Sequence, residues 1–154
     1  MRNIYLGGKG IKSCWNDDIL SLEYGKTRGG GIFIIGKSGF EIVNSIFIGQ
    51  HVEMDGGGIY LLDCHDVRIY NSLFLLNKAK WGGAIYLERC SDVLIEKNRF
   101  VFNTAIRDGG AISVSNCKNI QIISNLFRSN RAGRSQDNID IHNSICINQN
   151  GNYF

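Results

Sequence analysis

The sequence predicts an all-β fold, a single-stranded parallel β-helix of about five coils of 26–27 residues. Three observations predict it. Ile32, Ile59, Ile85, Ile112 and Ile139 are spaced 27, 26, 27 and 27 residues apart, and a period of that size marks an array of stacked units. Inside each unit apolar residues sit two apart, at Ile59/Leu61, Val67/Ile69, Ile85/Leu87, Val93/Ile95, Ile112/Val114 and Ile120/Ile122. Period two belongs to a strand, and no window carries the i, i+3, i+4, i+7 stripe of a helix. A Gly-Gly pair opens each unit, at Gly57-Gly58, Gly82-Gly83 and Gly109-Gly110, where a tight corner and close backbone approach are needed.

Taken in order, residues 1–28 read as a degenerate first coil. Leu20 lies 27 before Phe47 and Glu23 lies 27 before Gln50, so Ile19-Leu20-Ser21-Leu22 is expected as its third strand. Residues 29–136 hold the regular coils, each with three short strands and three corners, and 137–154 a partial terminal coil. Stacking at about 4.8 Å per coil aligns side chains in columns. Phe47, Phe74, Phe100 and Phe127 form an inward column, and Cys64, Cys90 and Cys117 another. Gln50, Asn77, Asn103 and Asn130 form a corner column whose amides can hydrogen-bond along the axis. Solenoid ends need caps, and neither end reads as an amphipathic cap. Tyr153-Phe154 reads as an abrupt apolar stop, so the chain is expected to be a fragment or a domain that relies on neighbours.

The motifs Gly82-Gly83-Ala84-Ile85 and Gly109-Gly110-Ala111-Ile112 recur in phase with Phe-x-x-Asn at Phe74, Phe100 and Phe127, and Gly-Gly-Gly-Ile stands at 29 and 56. This pairing resembles the repeat of polymorphic outer membrane proteins. More broadly it is similar to right-handed parallel β-helix, pectin-lyase-like proteins. The resemblance covers about Gly29 to Asn130. It implies a right-handed coil and a surface or secreted module, often adhesive. A secretion signal and a membrane-barrel domain, which the family carries, are not found in this sequence.

With 154 residues the chain is one domain by length, and 44% hydrophobic residues suffice for a narrow core. A net charge of +3 is too small to argue for nucleic acid. No run of 18 apolar residues predicts a transmembrane helix, and residues 1–8 lack a signal-peptide apolar region. An extracellular or cell-surface location is therefore expected only if the chain belongs to a longer exported protein. Of five cysteines, Cys14 and Cys146 lie near the ends, and the three at the repeat period read as a column of small buried reduced thiols rather than a disulfide scaffold. No spacing suggests a metal site, and no cofactor is expected.

Function is expected on outward columns. Phe33, Tyr60 and Tyr86 follow one another on the first strand, where exposed rings could stack on sugars. The corner before Gly-Gly is basic, with Lys26, Arg28, Lys78, Lys80, Arg107, Arg131 and Arg134, seven of the 17 basic residues, and could attract an acidic polysaccharide. The binding residues expected are Phe33, Tyr60, Tyr86, Lys78, Lys80, Arg107 and Arg131. An apolar stripe at Ile46, Leu73 and Leu75 suggests a face covered by a protomer or neighbouring domain. Asp66 and Asp92, with His65 beside them, are the weak catalytic candidates, since paired carboxylates can serve glycoside hydrolysis. Asn119 continues their column, which is how a turn position behaves. Two classes stay open: a non-catalytic surface or adhesion module that binds glycan or a protein partner along its long face, and the scaffold of a carbohydrate-active enzyme (a polysaccharide lyase or glycoside hydrolase). An enzyme needs one coil that differs from the others, and the uniformity of the coils favours binding.

Overall fold

A computed structural model describes Asn3–Leu6, 27–134 and 137–154, the first of these as backbone only. Every strand pairing between coils is parallel. Strand β1 (Asn3–Leu6) precedes a coil made of β2 (Ile32–Ile35), β3 (Ser38–Val43) and β4 (Ser45–Ile48). The next coil holds β5 (Ile59–Leu62), β6 (His65–Tyr70), β7 (Leu73–Leu75) and β8 (Lys78–Ala79). It is followed by β9 (Ile85–Glu88), β10 (Ser91–Glu96), β11 (Arg99–Val101) and β12 (Thr104–Ala105). A further coil has β13 (Ile112–Ser115), β14 (Lys118–Ile123), β15 (Leu126–Arg128) and β16 (Arg131–Ala132), and the last has β17 (Ile139–His142) and β18 (Ile145–Asn148). A full coil thus has four strands, not the expected three. The fourth is two residues long, too short to leave a period in the sequence, and forms its own sheet in the order β16-β12-β8.

Why these residues turn where they do is visible in the backbone. Left-handed residues recur in columns: Gly29/Gly56/Gly82/Gly109, Gly36/Asp63/Arg89/Asn116/Asn143, Gly39/Asp66/Asp92/Asn119/Cys146, Asn44/Asn71/Lys97/Ser124/Gly151 and Gly49/Leu76/Phe102/Ser129. Only Gly adopts this conformation without strain, with Asn and Asp next, which accounts for most of the occupants. At Gly83, beside left-handed Gly82, a close approach requires glycine: a Cβ there would run into the Gly110 carbonyl oxygen of the next coil and lie 2.7 Å from the Thr104 carbonyl oxygen of its own.

The core is the interior of the coil. Phe47, Phe74, Phe100 and Phe127 are buried and stack with centroids 4.7, 4.8 and 5.0 Å apart. Each contributes about 1.5–3 kcal/mol through burial of its ring. The expected amide ladder forms among the asparagines: Asn77 Nδ2 donates to Asn103 Oδ1 at 2.9 Å, and Asn103 Nδ2 donates to Asn130 Oδ1 at 3.0 Å, while Gln50 joins through its backbone N–H, which donates to Asn77 Oδ1 at 3.0 Å. A second ladder, absent from the sequence reading, runs on the other side of the Phe column through Ser45, Ser72, Asn98, Asn125 and Asn152, with each backbone N–H donating to the next side-chain oxygen. Cys64, Cys90 and Cys117 are buried free thiols, and the column continues into Ser144, whose Oγ accepts from Cys117 N at 2.9 Å. The neighbouring Cys117 and Cys64 thiols, together with burial, hold Cys90 above its ordinary range. Cys14 lies outside the described residues.

At the N-terminal end β1 pairs along the edge of β4, with Tyr5 opposite Phe47; the strand expected at Ile19–Leu22 lies outside the described residues. Tyr153-Phe154 does not stop the pattern: Phe154 stacks on Phe127 at 5.4 Å, and Tyr153 pairs with Leu126. Asn152, two residues before that Phe, extends the second ladder. The outward residues Ile46, Leu73 and Leu75 on β4 and β7 are half-buried.

Candidate functional site

The sheet of β8, β12 and β16 places the basic corner. Ala79, Ala105 and Ala132 alternate with Lys78, Thr104 and Arg131, which are paired in one row. The buried positions Asn77, Asn103 and Asn130 precede them, and Leu76, Phe102 and Ser129 stand exposed one step earlier. One step past the alanines come Lys80, Ile106 and Gly133; Ile106 N donates to the Ala79 carbonyl and Gly133 N to that of Ala105. The outer face is therefore a grid of three rows: Leu76–Lys78–Lys80, Phe102–Thr104–Ile106 and Ser129–Arg131–Gly133. Leu76, Phe102 and Ile106 are 56%, 50% and 57% exposed. Beside the grid, half-buried Trp81 has the Lys80 ammonium 4.5 Å and the Arg107 guanidinium 4.9 Å from its ring centroid. Such cation–π contacts orient both cations along the edge.

The aromatic column of Phe33, Tyr60 and Tyr86 is not an exposed platform. Phe33 and Tyr60 are buried and Tyr86 is half-buried. The rings stack on each other at 5.3 and 5.5 Å, as cross-strand neighbours do. The Gly corner packs against the outer side of the sheet, so that a Cβ at Gly29 would lie 3.1 Å from Phe33 Cβ. Arg28 lies over the Tyr60 ring, 5.4 Å from its centroid, and the Tyr60 hydroxyl donates to Glu88 Oε2 at 2.5 Å. Arg28 also forms a part-buried ion pair with buried Asp55 at 2.8 Å. Burial raises the Asp55 carboxyl although Arg28 opposes it, and Asp55 Oδ1 has no hydrogen-bond partner among the described residues. Burial, then the Glu88 carboxylate, holds Tyr60 well above the phenol range, and burial pushes Tyr86 up to about 12. Alternation told inside from outside of the sheet but not whether the outside was covered.

Asp66 and Asp92 are exposed, with His65 beside them on β6. They line a shallow depression of about 180 Å³ with Arg68, Asn119 and Gln121. Both acids are left-handed, with φ of 52° and 54°, in the column that begins at Gly39. Register steps over that column, Ser91 pairing with His65 and Val93 with Val67, so the ladder is interrupted in phase at the left-handed residue of each coil. Asn119 Nδ2 donates to Asp92 Oδ1 at 2.5 Å. The choice of Asp at these positions follows from the turn. The described residues contain no group of three His, Cys, Asp or Glu side chains placed to hold a metal ion.

The exposed apolar residues of this edge that sequence reasoning missed are Leu76, Phe102 and Ile106. The signal was available for two of them: Leu76 and Phe102 stand immediately before the ladder asparagines, where neighbouring coils have Gly49 and Ser129. Among the described residues no helix is long and apolar enough to cross a membrane.

No curated protein and no solved structure shows significant similarity to this chain. A family of right-handed β-helix regions matches it across residues 4–153, nearly its whole length, in agreement with the parallel coils described above. The chain therefore belongs to the right-handed β-helix family.

Proposed function

We propose that this β-helix is a non-catalytic, surface-type module that binds a polyanionic partner along its long face, through the edge formed by β8, β12 and β16. The observation that carries the reading is the row of Lys78, Thr104 and Arg131, in register with Lys78 and Arg131 exposed and Thr104 half-buried, beside half-buried Lys80 and Arg107. Lys78 and Arg131 stand two coils, about 10 Å, apart in that row, with Arg107 on the coil between them, and together they present positive charge along the axis. The uniformity of the coils supports binding over catalysis. The resemblance of the Gly-Gly-Ala-Ile and Phe-x-x-Asn repeats to those of polymorphic outer membrane proteins supports an extracellular or cell-surface setting. Tyr60 and Tyr86 contribute by bracing the sheet beneath the Gly corner rather than by stacking on a ligand.

The test is retention on an immobilised acidic polysaccharide at two salt concentrations. Wild type is expected to bind at low salt and elute as salt shortens the screening length. Lys78→Gln/Arg131→Gln is expected to bind more weakly and with a shallower salt dependence. Equal retention of both proteins, at both salt concentrations, would exclude this edge.

A further inference from the structure

We infer that the polyanion met by this edge is an anionic lipid bilayer, entered by Leu76, Phe102 and Ile106 while Lys78, Lys80 and Arg131 face the lipid phosphates. This rests on the reading of the edge as a polyanion-binding face. The first observation is the backbone. Leu76 and Phe102 have φ of 56° and 54° in a column whose other occupants are Gly49 and Ser129. A left-handed turn disfavours bulky apolar side chains, and solvent disfavours them again. Neither residue is buried in return: both are half or more exposed. Folding therefore gives no reason for an apolar residue at either position.

The second observation is the company they keep. Of the nine grid residues three are apolar, three are basic and none carries a carboxylate. Apolar side chains rimmed by cations match the boundary between acyl chains and charged headgroups, and lysines and arginines near such a surface add attraction. Size separates this occupant from the others. Three coils by five residues span about 10 by 13 Å, far below the roughly 800 Å² per partner of a stable protein interface. An acidic glycan would use the cations but would leave the three apolar side chains in water. A bilayer uses both, and it needs only a few inserted side chains.

The experiment is co-sedimentation of the full chain with vesicles of phosphatidylglycerol and phosphatidylcholine, or of phosphatidylcholine alone, with acidic polysaccharide beads as a parallel arm. The variants are Leu76→Asn/Phe102→Asn, which suits the left-handed turn, and Lys78→Gln/Arg131→Gln, each checked for a native circular dichroism spectrum. Wild type is expected to bind the anionic vesicles about tenfold or more tightly than neutral ones, and less so as salt rises. Leu76→Asn/Phe102→Asn is expected to lose about tenfold or more of vesicle binding and to keep its binding to the beads. Lys78→Gln/Arg131→Gln is expected to lose both. If Leu76→Asn/Phe102→Asn binds vesicles like wild type, insertion is overturned. If wild type binds beads but not vesicles, the lipid is overturned and the polyanion reading survives with a glycan. Failure to bind either overturns both.

Discussion

Replacing Asn103 by Ala tests whether the amide ladder holds the coils together. The side chain is fully buried and makes four hydrogen bonds. Its Oδ1 accepts from Asn77 N at 3.1 Å and from Asn77 Nδ2 at 2.9 Å. Its Nδ2 donates to the Phe74 carbonyl and to Asn130 Oδ1, both at 3.0 Å. Truncation does not orphan every partner. Asn77 Nδ2 keeps the Phe47 carbonyl, and Asn130 Oδ1 keeps the Asn103 backbone N–H. The Asn77 backbone N–H, however, loses the acceptor it has in this ladder. A buried orphan costs about 1–3 kcal/mol, and each weakened bond about 0.5–1.5 kcal/mol, so the loss should be about 3–5 kcal/mol. The same change at Asn152, half-buried in the last coil, should cost less than half as much. Exposed Asn116, at φ 53°, should lose only about 1 kcal/mol, from its turn. Urea denaturation followed by circular dichroism reads all three. An Asn103→Ala loss below about 1 kcal/mol, with an unchanged denaturant slope, would refute a structural role for the ladder.

Two further outcomes follow from the corners and the covered aromatics. Gly83→Ala should unfold the solenoid or lower its thermal midpoint steeply, because the new Cβ runs into the Gly110 carbonyl oxygen of the next coil and meets the Thr104 carbonyl group at 2.7 Å to O and 2.8 Å to C. Gly36→Ala, with open space around it and φ +62°, should cost only about 1 kcal/mol; similar midpoints for the two variants would contradict the close approach. Stability should also fall in alkali. Unfolded tyrosines ionise near pH 10, whereas Tyr86 in the fold ionises near 12 and Tyr60 also above its ordinary range. Between those values the unfolded chain binds fewer protons, so stability is full below about pH 10 and is lost as pH rises towards 12. Phenolate absorbance and circular dichroism recorded together check this. Ionisation of every tyrosine near pH 10 in the folded state would refute it.

What the sequence disclosed is what the repeat enforces. A residue that must face the core, or complete an axial hydrogen bond, recurs every 26 or 27 positions, so the Phe, Cys and first amide columns were legible. The second ladder was harder to read because Ser45 and Ser72 give way in it to Asn98 and Asn125, chemically equivalent as acceptors yet different as letters. Asn152-Tyr153-Phe154 was hidden by the polar run before it, although Phe154 lies 27 after Phe127. β1 escaped because residues near the N-terminus offered Leu20 at the expected spacing, while the chain pairs Tyr5 with Phe47 across a longer connection. The site was least legible. Whether Phe33 and Tyr60 meet solvent depends on the Gly corner and on Arg28 and Glu88, and strand alternation carries no record of those contacts.

The left-handed columns give the sharpest way to separate folding from function in this chain. Each such position taxes any residue other than Gly, Asn or Asp. Several exceptions have local compensation. Arg89 forks onto Asp63 of the same column, at 2.7 and 2.8 Å, and Lys97 reaches Glu96 at 3.1 Å. Ser124 and Ser129 are small and polar. Leu76 and Phe102 have side chains with no polar group to bond a turn, and they stand half or more in water. They adjoin the row that carries Lys78 and Arg131 and not the column of Asp66 and Asp92, where from Gly39 to Asn119 the residues are those a turn selects. The departure from what folding favours therefore lies on the basic edge, which places the search for a partner there rather than at the acid pair.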